Sequence, residues 1–355
     1  MVSKLKGNQY ALYGIALSFP FILFCTILES YLKIHSISFE NLIHTQCVSP
    51  LLWLIDTSPI ALGFFGWLID INQKKNRLIT IKLEEANLTF RREVIKGKAI
   101  ENHLRDMIDM YESDLKSAKL IQEFSLPEIP KLLEARIAYR YQPLFSIGGD
   151  FLSIIKLESG ELSLLIGDVV GHGISAALIT SLVRVLSNKT CRNFGTEPKK
   201  YLESLNEEVI TYLPDDYYFT ALYACLQFRK TGVSFKFSRG GHPYPFFYKK
   251  REKQTHIGEL VGIPLGLMAE AAYSEIDVDL VSGDRAYLIT DGLLEVRNRE
   301  GRLLGVPGVM EIITEVNHKS HSLDESLDLI IELVKSYSDE KAFIDDTLIL
   351  GIEIL

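Results

Sequence analysis

Residues 166–173 read IGDVVGHG, and this short stretch decides how the second half of the chain folds. The apolar run 162–166 is typical of a strand, and the run 174–187 that follows the stretch is typical of a helix. Asp168 therefore lies where a strand ends and before a helix begins. The flanking glycines let a backbone or a water molecule approach its carboxylate closely. The stretch predicts a strand–turn–helix unit that holds one exposed carboxylate rigidly.

Other acidic residues occupy similar positions at the ends of apolar, strand-like runs. They are Asp150 in GGDF, Asp291 in ITDG, and the pair Asp345 and Asp346 in IDDT. If these carboxylates converge, they repel one another unless a cation lies between them, and all-oxygen ligation suits Mg²⁺ or Mn²⁺. Two such ions can activate a water for in-line attack at phosphorus. Each acid taken singly also fits a turn residue or a helix cap.

Strand-like and helix-like segments alternate over residues 124–355. The helix-like runs come in two pairs among many strand-like runs, which predicts packed sheets flanked by helices. The strand-like runs are 136–141, 151–157, 162–166, 219–228, 233–237, 244–248, 285–290 and 347–354, and the helix-like runs are 174–187, 199–212, 306–316 and 323–336.

Six motifs in a fixed order connect this pattern to a known family. From residue 148 onward they read GGDF, IGDVVGHGISAAL, SRGGHPYPFFY, GIPLGL, ITDGLLEVRNREGRLLG and DDTLILGI. This region resembles the SpoIIE-type branch of the PPM, or protein phosphatase 2C-like, metal-dependent serine/threonine phosphatases. The resemblance implies an α+β fold, a four-layer αββα sandwich with a two-metal centre at one end of the paired sheets.

The resemblance also implies roles for individual residues. Asp168 matches the carboxylate that bridges both metals, and the backbone carbonyl of Val169 matches the adjacent ligand. Asp291 and Asp345 match the remaining metal carboxylates, and Asp150 matches an acid that binds directly or through water. The two ions, Mn²⁺ or Mg²⁺, would activate a water that attacks phosphoserine or phosphothreonine without a phosphoenzyme.

Two histidines and one further acid have less defined roles. His172 fits a general acid by its pKa range, and it fits a structural position beside the glycines equally well. We take it, with Asp168 and Asp150, as a candidate catalytic residue. His242 in GGHP is expected to be architectural, whereas Asp346 fits both assisting the metal site and simply hydrogen-bonding the loop.

The family pattern is not kept at every position. Ser153 stands where the family often has a second acid, and Val170 stands where it has a small polar residue. Neither change removes a primary ligand. We therefore expect an active phosphatase whose substrate is a regulatory phosphoprotein, such as a phosphorylated anti-sigma factor antagonist. The alternative is a catalytically weak phosphatase-like domain that serves as a signalling scaffold, which missing ligands would mark.

The first 70 residues differ in composition from the rest. The chain has 355 residues, a net charge of −8 and 47% hydrophobic residues, yet residues 1–70 carry only seven charged side chains. The uncharged run 10–28 is long enough to cross a ~30 Å hydrocarbon core as a helix, and the alternative is a cleaved signal peptide. A second apolar run, 51–69, contains Asp56, which fits a functional residue or a position near an interface. Alternatively, Asp56 or Ser58 caps a helix that starts at Pro59.

Charges beside the two apolar runs predict their orientation. Lys4 and Lys6 precede the first run, and Lys74, Lys75 and Arg77 follow the second. By the positive-inside rule, both ends of this transmembrane hairpin face the cytoplasm. We therefore expect a multi-pass protein of the inner (plasma) membrane with a cytoplasmic catalytic domain. The acidic balance of the chain argues against a nucleic-acid partner.

Residues 71–123 contain no proline and predict one helix that ends before Leu126. Its apolar residues favour a coiled-coil linker that joins two copies of the chain; the alternative is an amphipathic helix packed on its own domain. The predicted segments are thus a membrane anchor of two helices (1–70), a helical linker (71–123) and a phosphatase domain (124–355). The residues with the alternating spacing of four and three are Leu104, Ile108, Tyr111, Leu115 and Ala118.

Overall fold

The chain forms two compact units, Met1–Met107 and Ile108–Leu355. The structure is a computed structural model and describes residues 9–171, 173–214, 216–319, 321–339 and 342–355. His172, Lys4 and Lys6 lie outside these described residues. The three segments predicted from composition divide the chain differently, and their boundaries stay predictions.

The first unit is helical, and two of its helical stretches are long and apolar enough to cross a membrane by length and composition. These are Gln9–Ile34 and Pro50–Ser125, with mean hydropathies of 2.1 and 1.5 in their most apolar windows. The second stretch contains a break at Thr57, and the helix after it runs on into the second unit without interruption. The helices are α1 (Gln9–Ile34), α2 (Phe39–Val48), α3 (Pro50–Asp56) and α4 (Ser58–Ser125).

The helices α1 and α4 approach each other closely through glycine. A Cβ atom added to Gly14 would lie 2.6 Å from the carbonyl oxygen of Leu62, and one added to Gly66 would lie 2.6 Å from the backbone nitrogen of Ala11. Only glycine, which has no side chain, lets the backbones of α1 and α4 approach each other this closely. Close approach through small residues is the usual way in which helices pack within a lipid bilayer.

Polar side chains join the short helices α2 and α3 to α1. The Gln46 amide nitrogen donates to both carboxylate oxygens of Asp56 at 2.8 Å, and its amide oxygen accepts from the Thr26 hydroxyl. Asp56 is the last residue of α3, and α4 begins at Ser58, one residue before the predicted start. The Asp56 carboxylate is therefore stabilised by a neighbouring amide, a contact that the sequence did not predict.

The second unit contains two five-stranded antiparallel sheets. Sheet I has the strand order β1-β10-β9-β6-β7, and sheet II has the order β2-β3-β4-β5-β8. The strands are β1 (Ala135–Gln142), β2 (Asp150–Lys156), β3 (Leu162–Val169), β4 (Phe219–Arg229), β5 (Gly232–Gly240), β6 (Phe246–Lys249), β7 (Gln254–Ile257), β8 (Glu275–Leu280), β9 (Arg285–Ile289) and β10 (Thr347–Ile354).

Three apolar cores hold four layers together. The first core contains buried residues of both sheets, such as Leu164 and Leu350, and so lies between them. The second packs α5 and α6 on sheet II through Val183 and Leu205, and the third packs α7 and α8 on sheet I through residues such as Ile330. The predicted four-layer αββα sandwich is confirmed. Its helices are α5 (Ile174–Phe194), α6 (Pro198–Tyr212), α7 (Gly305–His318) and α8 (Leu323–Tyr337).

The elements that the sequence predicted are those with continuous apolar runs. All eight strand-like runs and all four helix-like runs occur in the structure, with ends shifted by up to seven residues. The strands β7 and β8 were missed. Each is an edge strand of its sheet and alternates exposed residues with buried or half-buried ones, so neither has the continuous apolar run that predicts a strand.

A buried arginine joins sheet I to its helices. Arg285 is 7% exposed, and its guanidinium donates to Asn317 at 2.9 Å and to Ser326 at 2.8 Å. It also donates to the Glu353 carboxylate at 2.8 Å. These contacts connect β9, β10, α7 and α8 through one side chain.

We predict that Arg285→Met lowers the free energy of unfolding by about 3 kcal/mol, because it leaves buried acceptors and the Glu353 charge without their donor. Denaturant unfolding of the full-length chain would measure this. The control is Arg299→Met, which breaks an exposed ion pair with Asp339 and should change stability by less than about 0.5 kcal/mol. Equal effects of the two substitutions would contradict the role given to Arg285.

Candidate metal centre

Sheet II brings two of the predicted ligands face to face. Asp150 begins β2 and lies opposite Asp168, near the end of β3, in the antiparallel register. Asp168 is in turn opposite Thr220 on β4. Asp150 is only 3% exposed. The pairing of β2 with β3 therefore places two carboxylates at one end of the sheet, and one of them is buried.

Sheet I brings its acids to the same end of the sandwich. Asp291 begins a short 3-10 turn after β9, and Asp345 precedes β10, the strand that pairs with β9. Thr290 joins the two sheets there, because its hydroxyl donates to one carboxylate oxygen of Asp150 at 2.8 Å. This role of Thr290 was not predicted, since a threonine at a strand end has no distinctive sequence pattern.

The carboxylate of Asp346 holds the loop that precedes Asp150. One of its oxygens accepts a hydrogen bond from the Leu144 nitrogen at 2.7 Å, and the other accepts from the Gly149 nitrogen at 2.6 Å. Both oxygens are thus engaged by the backbone. Of the two roles predicted for Asp346, the structure shows hydrogen bonding to the loop.

Burial and the neighbouring negative charges raise the pKa values of these acids. Burial, together with the charges of Asp291 and Asp345, raises the pKa of Asp168 to about 8. Burial and the charge of Asp168 raise the pKa of Asp150 well above its usual range. The pKa of Asp291 is raised by burial and by Glu295. The site therefore disfavours the full set of negative charges, which a bound cation would stabilise.

Oxygen atoms at this end of the sandwich are suitable for a divalent cation. The second carboxylate oxygen of Asp150 is buried and has no hydrogen-bond partner among the described residues. Gly149 has no side chain, and the space that this leaves beside Val169 and Asp168 is called the cradle here. A Cβ atom added to Gly149 would lie 2.8 Å from the Val169 carbonyl oxygen and 3.1 Å from a carboxylate oxygen of Asp168. Carboxylate and carbonyl oxygens are the ligands that Mg²⁺ and Mn²⁺ prefer.

The predicted ligands lie near one another, but they do not surround a single position that a metal ion could occupy. In the described part of the chain, no three His, Cys, Asp or Glu side chains are gathered as a complete metal site. The ligand roles of Asp150, Asp168, Val169, Asp291 and Asp345 stay predictions. The acid role of His172 also stays a prediction, because His172 lies outside the described residues.

His242 has the properties of an architectural residue. It is 1% exposed, and its Nδ1 lies 2.9 Å from the Thr220 hydroxyl. Burial, with the nearby charge of Arg239, lowers the pKa of His242 to about 3. The ring is therefore neutral at physiological pH and is poorly suited to deliver a proton.

We predict that Gly149→Ala reduces Mn²⁺ binding at least tenfold, because the added methyl group occupies the cradle. Binding of a cation to the folded state raises the unfolding temperature, so the measurement is the Mn²⁺-induced rise in that temperature. Gly97→Ala is the control, since a Cβ at Gly97 meets no atom within 4 Å. A full Mn²⁺-induced shift in Gly149→Ala would show that the cradle holds no cation.

Two curated proteins resemble the chain in sequence. The chain is 27% identical over 256 residues to phosphoserine phosphatase RsbU of Bacillus subtilis (strain 168), covering 71% of this chain and 74% of that protein. It is also 27% identical over 336 residues to protein IcfG of Synechocystis sp., covering 87% of this chain and 52% of that protein. The chain thus spans about half the length of IcfG.

Fold comparison and a family model agree on the class of the second unit. The SiaA-PP2C domain of Pseudomonas aeruginosa superposes with a TM-score of 0.59 at 21% identity, covering 70% of this chain and 98% of that domain. That likeness identifies the PP2C fold. The family model for Stage II sporulation protein E (SpoIIE) matches residues 158–355. Because this match covers more than half of the chain, the protein belongs to the SpoIIE family of PP2C-type phosphatases.

Proposed function

We propose that this phosphatase is a divalent-metal-dependent enzyme that removes phosphate from serine or threonine of a regulatory protein. The observation that carries the proposal is the meeting of acids from both sheets at one end of the sandwich. One buried carboxylate oxygen of Asp150 there has no hydrogen-bond partner among the described residues. The similarity to RsbU, which is named a phosphoserine phosphatase, supports phosphoserine as a substrate. A phosphorylated anti-sigma factor antagonist is the substrate class that we favour.

In this proposal each residue of the site has a distinct task. Asp168 would contact two cations, with the Val169 carbonyl, Asp291, Asp345 and Asp150 completing the ligand set. Divalent cations held there would supply an activated water and would neutralise the phosphoryl charge. The residue that delivers a proton to the leaving serine or threonine oxygen would be His172.

Residues around the ligands set their positions. Thr290 holds one oxygen of Asp150 and leaves the other available. Asp346 fixes the Gly149 backbone and so prevents the loop before Asp150 from filling the cradle. Fixed ligands of this kind supply charge stabilisation without the cost of reorganisation during the reaction.

Asp168→Asn tests the proposed activity. We predict a loss of Mn²⁺-dependent phosphate release from a phosphoserine protein of about 100- to 1,000-fold, the size expected when one electrostatic contributor is removed. The measurement is inorganic phosphate released by the full-length chain in detergent. Asp279→Asn is the control, because Asp279 lies in an exposed ion pair with Arg229. Hydrolysis that needs no metal, or that survives Asp168→Asn, would contradict the proposal.

We also propose that the first unit anchors the enzyme in the inner membrane as a multi-pass helical hairpin. The apolar helices α1 and α4 support this, and so do the exposed aromatic residues along them, such as Phe21 and Phe65. Lys74, Lys75 and Arg77 follow the apolar part of α4, and the positive-inside rule then places the phosphatase domain in the cytoplasm.

A second copy of the chain is the partner that we propose for the linker. Leu104, Ile108 and Tyr111 are 54%, 55% and 55% exposed on α4, although each is apolar or aromatic. Their alternating spacing of four and three matches the seam of a two-stranded coiled coil. A parallel dimer would bury this stripe and would connect the membrane unit of each copy to its phosphatase domain.

Substitution of Ile108 and Leu115 by Gln tests the dimer. We predict that the double variant dimerises at least tenfold more weakly, because each buried aliphatic side chain contributes about 1.5–3 kcal/mol, and that its phosphatase rate changes with its association. Analytical ultracentrifugation of the full-length chain gives the dimerisation constant. Glu112→Gln and Lys116→Gln, off the stripe, serve as controls. An unchanged dimerisation constant and rate would contradict the proposal.

A further inference from the structure

A short hairpin with three exposed arginines follows the turn at Asp291. It spans residues 296–304 and is called the arginine hairpin here. Its two ends are joined by a hydrogen bond from the Leu304 nitrogen to the Val296 carbonyl oxygen at 2.8 Å. The three exposed side chains are those of Arg297, Arg299 and Arg302. The hairpin therefore holds three positive charges on a closed loop.

The turn of the arginine hairpin is held by one asparagine. The side-chain oxygen of Asn298 accepts hydrogen bonds from the Glu300 and Arg302 nitrogens, each at 3.0 Å. Gly301 in the same turn has a φ of 76°, which favours glycine, and its carbonyl oxygen accepts from the Arg297 guanidinium at 2.9 Å. The arginines are thus presented on a preorganised loop, so little backbone entropy is lost when a partner binds there.

The arginine hairpin is fixed close to the proposed metal ligands. The Leu294 nitrogen donates to the Asp291 carbonyl oxygen at 2.7 Å, and the Gly305 nitrogen donates to the Leu294 carbonyl oxygen at 2.9 Å. An open groove of about 300 Å³ is lined by the hairpin and by Ile344, the residue before Asp345. The hairpin and its groove therefore lie beside the end of the sandwich where the acids meet.

The three arginines are only weakly paired with acids in the part of the chain that the structure describes. Arg299 pairs with Asp339 and Arg302 pairs with Glu300, but the two arginine side chains are 82% and 76% exposed. Arg297 is exposed, and its guanidinium contacts the hairpin backbone and no described carboxylate. Exposed ion pairs contribute little to stability. An incoming acidic group therefore replaces them with little loss of free energy.

The rest of the phosphatase domain carries an excess of negative charge. Residues 124–355 contain 33 Asp and Glu against 24 Lys and Arg, so this part of the chain repels an acidic protein. A phosphorylated side chain brings a further charge of about −1.5 to −2. Positive side chains beside the site attract an acidic segment and orient it there.

We propose, on the basis of the phosphatase function above, that the arginine hairpin is the docking surface for acidic residues that flank the phosphorylated serine or threonine of the substrate. The guanidinium groups bind the flanking carboxylates, while the phosphorylated side chain reaches the end of the sandwich where the acids meet. The hairpin thus selects phosphoproteins that have an acidic segment next to the phosphorylated residue. The arginines act on substrate affinity and contribute little to the rate of hydrolysis once the substrate is bound.

Two phosphoserine peptides test this proposal with the full-length chain in detergent and Mn²⁺. One peptide has Glu residues beside the phosphoserine, and the other has Gln at the same positions. Fluorescence anisotropy of labelled, hydrolysis-resistant phosphonate forms gives the dissociation constants. We expect the combined variant Arg297→Gln, Arg299→Gln and Arg302→Gln to bind the acidic peptide about tenfold more weakly, as a few exposed charge contacts predict, and the neutral peptide unchanged. For the hydrolysable acidic peptide, KM should rise about tenfold while kcat stays within about twofold.

The matched control combines Lys250→Gln, Arg251→Gln and Lys253→Gln. It removes the same charge from the turn after β6, which lies beside the start of β9 and so at the opposite end of sheet I from Asp291. This control should bind both peptides as the wild type does. Wild-type affinity for the acidic peptide in the hairpin variant, or an equal loss in both triple variants, would overturn the proposal.

A second variant covers the case in which loss of the Arg297–Gly301 contact unfolds the hairpin. Arg299→Glu combined with Arg302→Glu reverses two exposed charges and should weaken binding of the acidic peptide at least tenfold by the same titration. A wild-type chain that binds the acidic peptide through the hairpin but releases no phosphate from either peptide would refute the proposed function alone. One that hydrolyses both peptides with the same KM would overturn the docking proposal alone.

Discussion

Mutual repulsion of carboxylates at one end of the sandwich is the constraint on which the rest of the structure depends. Asp150 and Asp168 face each other across β2 and β3, and Asp291 and Asp345 come to the same end from sheet I. Burial and these neighbouring charges raise the pKa of Asp168 to about 8. An arrangement of this kind lowers stability in the absence of cations. We therefore interpret this end of the sandwich as a cation-binding site whose presence lowers the stability of the cation-free protein.

The surrounding structure keeps the acids in place against that repulsion. The core between the sheets fixes their separation, and the hydrogen bond from Thr290 to Asp150 connects the two sheets at the site. Asp346 holds the loop backbone through Gly149, while the linker helix reaches the same loop through Gln122.

The sequence predicted the elements that have continuous apolar runs or recognisable motifs. It did not predict contacts between side chains that lie far apart in the sequence. The stretch around Asp168 predicted a strand end with an exposed acid. The strand β3 ends one residue later, as expected, but Asp168 is half-buried. The edge strands β7 and β8 lack an apolar run, so they were missed. The contacts of Thr290 and Gln122 join residues 140 and 26 positions apart, and neither spacing leaves a local pattern. The Asp56–Gln46 contact was missed for the same reason.

Anomalous X-ray diffraction from crystals of the full-length chain grown with Mn²⁺ tests the central claim most directly. The account predicts anomalous density at about 2 Å from carboxylate oxygens of Asp168, near the distance for a small divalent cation, with the Val169 carbonyl in the same coordination shell. It also predicts that Asp150 keeps its bond to Thr290 while its second oxygen turns toward the ion or a water bound to it. Mn²⁺ located away from Asp168, or a site at this end of the sandwich that takes up no Mn²⁺, would contradict the account.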